Sequence, residues 1–175
     1  MLFPVEDYCR EKLYFFIKNH PHYKSINEKL IEESYNFEFR RDLINMDGSA
    51  TNVKAVQTGG KISSPTLSLI EKWILEVFEK QFGFYYKVGL RWMSNYGEGD
   101  YTTSHTHIPS AFAFNYFVKT PKGSSPLIFT TSGKKIKAEE GKVIIFPGNL
   151  AHHVPKNRCD GRIVLSGNIY PIFEE

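Results

Sequence analysis

The chain has 175 residues, 41% apolar and 15% aromatic, enough for one domain with a sizeable core. Its 22 basic and 19 acidic residues leave a net charge of +3 with no dense basic block, which argues against nucleic acid as the main partner. No apolar run approaches the roughly 18 residues of a membrane span, and the N-terminus lacks the basic-then-apolar pattern of a signal peptide, so a cytoplasmic protein is expected.

Taken in chain order, Val5 to Asn19 reads as a first helix, with Tyr8, Leu13, Phe16 and Ile17 at three- and four-residue spacings. Tyr35 to Phe39 alternates like a strand. Residues 45 to 64, rich in Gly, Ser, Asn and Thr, read as an ordered loop or lid. A second helix starts at Ser64-Pro65, with a hydroxyl for the N-cap and proline at the first helical position. Leu67, Ile70, Ile74, Val77 and Phe78 form its apolar stripe.

The second half reads as short strands separated by turns: Lys87–Met93, Tyr101–His107, Ala111–Lys119, Leu127–Thr131, Lys134–Ala138, Lys142–Phe146 and Arg162–Ile169. This spacing predicts a sandwich or jelly roll, a mainly β fold with N-terminal helices packed on one outer face of a sheet. We expect a single domain over 1–175, with 1–85 as helical support and loop and 86–170 as the barrel. Cys9 and Cys159 make no zinc or disulfide framework, and reduced thiols are the simpler reading than a bridge between them.

The chemistry concentrates in His105-Thr106-His107 and a distant His152 or His153. Side chains at i and i+2 share one face of a strand, so both imidazoles of the first pair can reach one metal ion. A third histidine from a later strand would complete three ligands and leave positions open for substrate and dioxygen. His152 and His153 are neighbours, so an extended backbone turns only one of them inward. His20 and His22 flank a proline without strand context and read as surface residues. Arg162 opens an apolar run, where its planar guanidinium could hold a carboxylate by two charge-assisted hydrogen bonds. Arg158, in a polar turn, reads as a surface arginine.

Trp92, Asn95, Tyr96, Gly99 and Asp100, followed by His105-Thr106-His107, resemble the first ligand block of the iron(II)- and 2-oxoglutarate-dependent dioxygenases. Gly141 to His152, a strand ending in Phe146-Pro147 with a histidine shortly after, resembles their second block and selects His152. The resemblance covers roughly residues 86 to 170 and is nearest to prolyl-hydroxylase-like oxygenases. It implies Fe(II) held by His105, His107 and His152. It also implies 2-oxoglutarate with its far carboxylate on Arg162, helped by Ser166 and Tyr116, and dioxygen as co-substrate. The implied reaction couples decarboxylation of 2-oxoglutarate to hydroxylation of a C–H bond, on a peptidyl residue such as proline or on a small metabolite. Trp92, Asn95 and Phe114 are candidate pocket residues, with core packing as the alternative reading.

One position departs from that family. Its usual triad is two histidines and a carboxylate, and here the carboxylate position is His107. Asp100 is too far along the strand to ligate and reads as a turn residue or an acceptor for a histidine N–H. Gly99 with His105-Thr106-His107, and Gly141 with Pro147 and His152, also resemble the two motifs of cupins. The glutamate a cupin would carry soon after His107 is missing. A three-histidine cupin-type metalloenzyme without 2-oxoglutarate, and a non-catalytic metal- or ligand-binding barrel, remain as alternatives.

Overall fold

The computed structural model describes residues 16–44, 50–82 and 85–172. The core consists of β5 (Tyr86–Tyr96), β6 (Tyr101–His105), β7 (Phe112–Lys119), β8 (Leu127–Phe129), β9 (Lys135–Ile136), β10 (Lys142–Pro147), β11 (His152–Val154) and β12 (Arg162–Pro171). They fall into two antiparallel sheets. One contains β10-β7-β12-β5 and the other β6-β11-β8-β9, so most successive strands cross from sheet to sheet. This is the double-stranded β-helix, a jelly roll, one of the two architectures expected from the strand spacing.

Strand alternation divides the interior into two layers. On β7, β10 and β12, Phe114, Tyr116, Val118, Val143, Ile145, Ile163 and Leu165 face the helices. Their neighbours Ala113, Phe117, Ile144, Phe146 and Val164 face the space between the sheets. Both faces of these strands are therefore covered, which is why they read as continuous apolar runs.

Helix α2 (Pro65–Phe82) packs Leu67, Ile70, Ile74 and Phe78 into the outer layer, while Val77 is half-buried. The Leu67 N–H donates to Ser64 Oγ at 3.2 Å, the expected N-cap. The Thr66 N–H and hydroxyl both donate to Glu33, at 3.1 and 2.6 Å, which ties the start of α2 to helix α1 (Tyr23–Ser34). Ser64→Ala should cost about 1 kcal/mol and lower the thermal midpoint by about 2–4 °C for a chain of this size. A calorimetric scan of the two proteins checks this.

The first half differs from expectation in three places. Residues 5–15 of the expected first helix lie outside the described residues, as does Cys9. Phe16–Asn19 is a strand, β1, paired with β10 at the sheet edge. Tyr35 to Phe39 is mostly the turn that follows α1, and only Phe39 enters a strand, β2 (Phe39–Arg40). Of the expected loop, 45–49 lie outside the described residues. The rest contains β3 (Val53–Lys54), paired with β6, and β4 (Val56–Thr58), paired with β2 and β5. Helix α1 escapes a hydrophobicity pattern because two of its three buried residues are polar, Asn27 and Ser34 beside Leu30. Asn27 is satisfied in the core: its Nδ2 donates to the Val118 carbonyl at 2.7 Å, and its Oδ1 accepts from the Tyr116 hydroxyl at 2.7 Å. No helix among the described residues is long and apolar enough to cross a membrane.

Candidate metal centre

The three histidines converge. His105 ends β6 and His152 starts β11, and the two are directly paired across the ladder. The next pair is Thr102 with Val154, so three residues on β6 span what two span on β11. This bulge brings both buried Thr102 and His105 to the inner face, a re-aiming that bulges commonly perform. His107 lies just past the strand, where its N–H donates to the Gly148 carbonyl at 2.7 Å. That close approach needs Gly148, since a Cβ there would stand 2.1 Å from the Ser110 carbonyl oxygen. One ligand nitrogen from each ring lies within 4.8 Å of the others.

The ring orientations suit a metal. His107 Nε2 and His152 Nε2 stand 3.3 Å apart. Two ligands each about 2.1 Å from one ion and about 90–109° apart would be separated by about 3.0–3.4 Å. A carbonyl oxygen only accepts, so the rings of His105 and His152 carry their protons on Nδ1. These donate to Thr103 and Leu150 carbonyls, each at 2.9 Å, and leave Nε2 as the free lone pair. His152 is only 2% exposed. His153 points to the outer face, where its Nδ1 shares a hydrogen bond with the Thr130 hydroxyl at 3.2 Å. Trp92 stacks on His107 with ring centroids 5.9 Å apart, and Phe146 packs edge-on against His152 at 4.7 Å.

Burial, reinforced by the neighbouring imidazoles, pushes His107 down to about 3 and His152 to about 4, and burial lowers His105 as well. All three are therefore neutral near pH 7, the form that binds metal. The unfolded chain returns these rings to about 6.5. Between about pH 4 and 6.5 it binds more protons than the folded state, so stability falls as pH falls through that window. Denaturant midpoints of the metal-free protein should be flat from pH 7 to 8 and drop from 6.5 to 4. His107→Gln should shallow that slope.

Arg162, at the start of β12, is only 1% exposed. Its Nε donates to the Ser125 carbonyl at 3.1 Å, and its guanidinium lies over the rings of Tyr96 and Phe117 at 4.5 and 5.7 Å. Its Nη1 is buried with no hydrogen-bond partner among the described residues. No carboxylate pairs with it among the described residues. A buried guanidinium without a counter-ion is costly, and burial here works against its charge. Arg162 alternates with Val164, Ser166 and Asn168 on the β12 face that lines the space between the sheets, the space Phe117 and Phe146 also fill. Ser166 Oγ donates to Asn115 Oδ1 on β7 at 2.9 Å.

Several expected residues stand elsewhere. Tyr116 faces the helices and donates to Asn27, so strand parity removes it from any contact with a ligand between the sheets. Phe114 is on the same outer layer. Asn95 follows Met93 on that side of β5 by alternation, so of the three pocket candidates only Trp92 reaches the histidines. Asp100 accepts from Arg41 through both oxygens, at 2.7 and 3.3 Å, and from the Gly97 N–H; it is a turn anchor with no histidine on it. His20 is buried against Trp73, with centroids 4.6 Å apart, whereas His22 is exposed as expected. Asn115 and Asn168 went unread in the sequence. Counting in twos from Arg162 along its strand would have reached Asn168.

No protein-family model and no curated protein sequence matches the chain. Solved structures do. The viral collagen prolyl hydroxylase of Paramecium bursaria Chlorella virus-1, in complex with 2-oxoglutarate, matches with a TM-score of 0.71 at 16% identity, over 91% of this chain and 97% of its own. A prolyl-4-hydroxylase of Pseudomonas putida matches with a TM-score of 0.67 at 10% identity, over 90% and 92% of the two chains. HygX of Streptomyces hygroscopicus, holding nickel, 2-oxoglutarate and hygromycin B, matches with a TM-score of 0.66 at 9% identity, over 91% and 83%. The chain thus carries the double-stranded β-helix fold of the 2-oxoglutarate and iron(II) oxygenases.

Proposed function

We propose that this protein is an Fe(II)- and 2-oxoglutarate-dependent oxygenase that hydroxylates a C–H bond. The observation that carries the reading is a buried guanidinium with no carboxylate partner among the described residues, on the strand face that also leads to three neutral imidazoles. A dicarboxylic cosubstrate answers both features, because one end can meet the ion and the other the arginine.

The residues fit these groups. Three imidazole nitrogens suit iron, and equally zinc, copper or nickel. His105, His107 and His152 would hold the ion through Nε2. Arg162 would meet the distal carboxylate with its free Nη1 and an adjacent N–H, and Ser166 would turn its hydroxyl from Asn115 to the same group. When bound, ion and cosubstrate supply the activation of dioxygen and the decarboxylation of 2-oxoglutarate to succinate. The chain orients them and keeps water out with Tyr96, Phe117 and Phe146. Since His107 is neutral where the usual two-histidine facial triad has a carboxylate, the centre would hold one more positive charge and bind anions more strongly.

The substrate is a peptidyl residue such as proline or a small metabolite. The similar structures support both classes, since two are prolyl hydroxylases by name and one holds hygromycin B. A cluster of three histidines, with no carboxylate joining them among the described residues, favours a second reading, a three-histidine metalloenzyme that does not use 2-oxoglutarate. Incubation of the Fe(II)-loaded protein with 2-oxoglutarate in air separates them. Slow uncoupled release of succinate, lost in His152→Ala, supports the first; none, with iron bound, supports the second.

A further inference from the structure

Two of the three histidines have their orientation explained by a backbone carbonyl. His105 Nδ1 donates to Thr103 and His152 Nδ1 donates to Leu150. His107 has no such carbonyl partner among the described residues. Its Nε2 is directed at His152, so a nitrogen on the far side of its ring is left to be satisfied. Metal-binding histidines nearly always donate their second N–H to an acceptor, which fixes the tautomer and raises ligand basicity.

The neighbouring β12 supplies one. Asn168 follows Arg162, Val164 and Ser166 on the inner face, beside the bulge between Gly167 and Ile169. Its Oδ1 is buried and without a formed hydrogen bond among the described residues. It lies on the inner face two residues beyond Ser166, the cross-strand partner of Trp92, whose ring stacks on His107. A buried amide oxygen gains from a hydrogen-bond donor, and the ring N–H of His107 would supply one.

We propose that Asn168 is the positioning residue of His107: its carboxamide oxygen accepts the Nδ1–H and holds Nε2 toward the ion. The inference rests on the metal-centre reading and deepens it. A carboxylate ligand at position 107 would not need this acceptor in the same way, so the histidine and Asn168 form a matched pair. The other two rings are oriented by main chain that any sequence would supply, whereas this one depends on a side chain.

The test uses zinc(II), which is diamagnetic and stable in air, with chelator-competition titration and imidazole 15N spectra of the histidine-labelled protein. In the wild type, His107 is expected to bind zinc through Nε2 and to show a protonated, hydrogen-bonded Nδ1. Asn168→Leu, of similar size but without an acceptor, should bind zinc about 10–100-fold more weakly and lose that Nδ1–H signal, with an unchanged metal-free thermal midpoint. Asn168→Asp, which keeps the acceptor, should restore both. Unchanged affinity and signal in the leucine variant, failure of aspartate to restore them, or Nδ1 coordination in the wild type would overturn the proposal. A wild-type protein that binds no zinc or iron would instead overturn the metal centre itself.

Discussion

Arg162→Met should bind 2-oxoglutarate at least thirty-fold more weakly than the wild type and unfold at the same temperature or a higher one. The two halves of this result come from one fact. The guanidinium is fully buried and faces two aromatic rings and a carbonyl; among the described residues one of its nitrogens has no partner and no carboxylate pairs with it. In the ligand-free protein it is a cost, and a flexible apolar side chain of similar length removes that cost. In the bound protein it is the counter-charge, and deleting one partner of a buried, hydrogen-bonded charge pair costs about 2–5 kcal/mol. That is about thirty- to several-thousand-fold in affinity. Metal affinity should be unchanged. Arg162→Lys should recover little, because an ammonium cannot offer the planar pair of N–H groups. Isothermal titration with 2-oxoglutarate on the metal-loaded variants, beside thermal scans of the metal-free ones, checks both. A variant that loses stability and keeps its affinity would make Arg162 a structural residue.

His152→Ala should abolish measurable iron binding, while His153→Ala leaves it unchanged. The pair isolates parity, because adjacent residues on β11 face opposite sides of the minor sheet: His152 is buried with its Nε2 beside His107, and His153 meets Thr130 on the outside. Loss of one of three ligands should exceed the 10–100-fold cost typical of a supporting residue. His107→Asp gives the complementary result. It supplies an anionic oxygen where the ring nitrogen stood, so iron should be retained, with weaker anion binding as the centre loses one positive charge. Complete loss of iron with the fold intact would mean that position 107 does not tolerate a carboxylate ligand. Equilibrium dialysis against Fe(II) under nitrogen reads all three variants.

The strands of the barrel were legible because their two layers demand apolar runs, and α2 because Ser64, Pro65 and its stripe agree. Helix α1 was hidden by its buried Asn27 and Ser34, which a hydrophobicity pattern reads as solvent-facing. Edge strands such as β3 and β4 are two or three residues long and have almost no period to detect. The convergence of the histidines followed from alternation, but its detail did not. The bulge on β6 is invisible in sequence, although it helps set which way His105 points. Side assignment failed for Tyr116 and Phe114 because β7 is apolar on both faces, so its parity gives no outward signal. Arg162 was found because a charge inside an apolar run is unusual. Asn168 was missed because an asparagine near a strand end is not.

The most direct test of the account is an anaerobic titration of the metal-free protein with Fe(II) and then 2-oxoglutarate, followed by visible absorption. Fe(II) alone is expected to give no visible band. Addition of 2-oxoglutarate then produces a weak metal-to-ligand charge-transfer band that saturates at one equivalent, and Arg162→Met lacks it at the same ligand concentration. Stoichiometric iron binding with no band at saturating 2-oxoglutarate would contradict the account and leave a three-histidine metal centre of another kind.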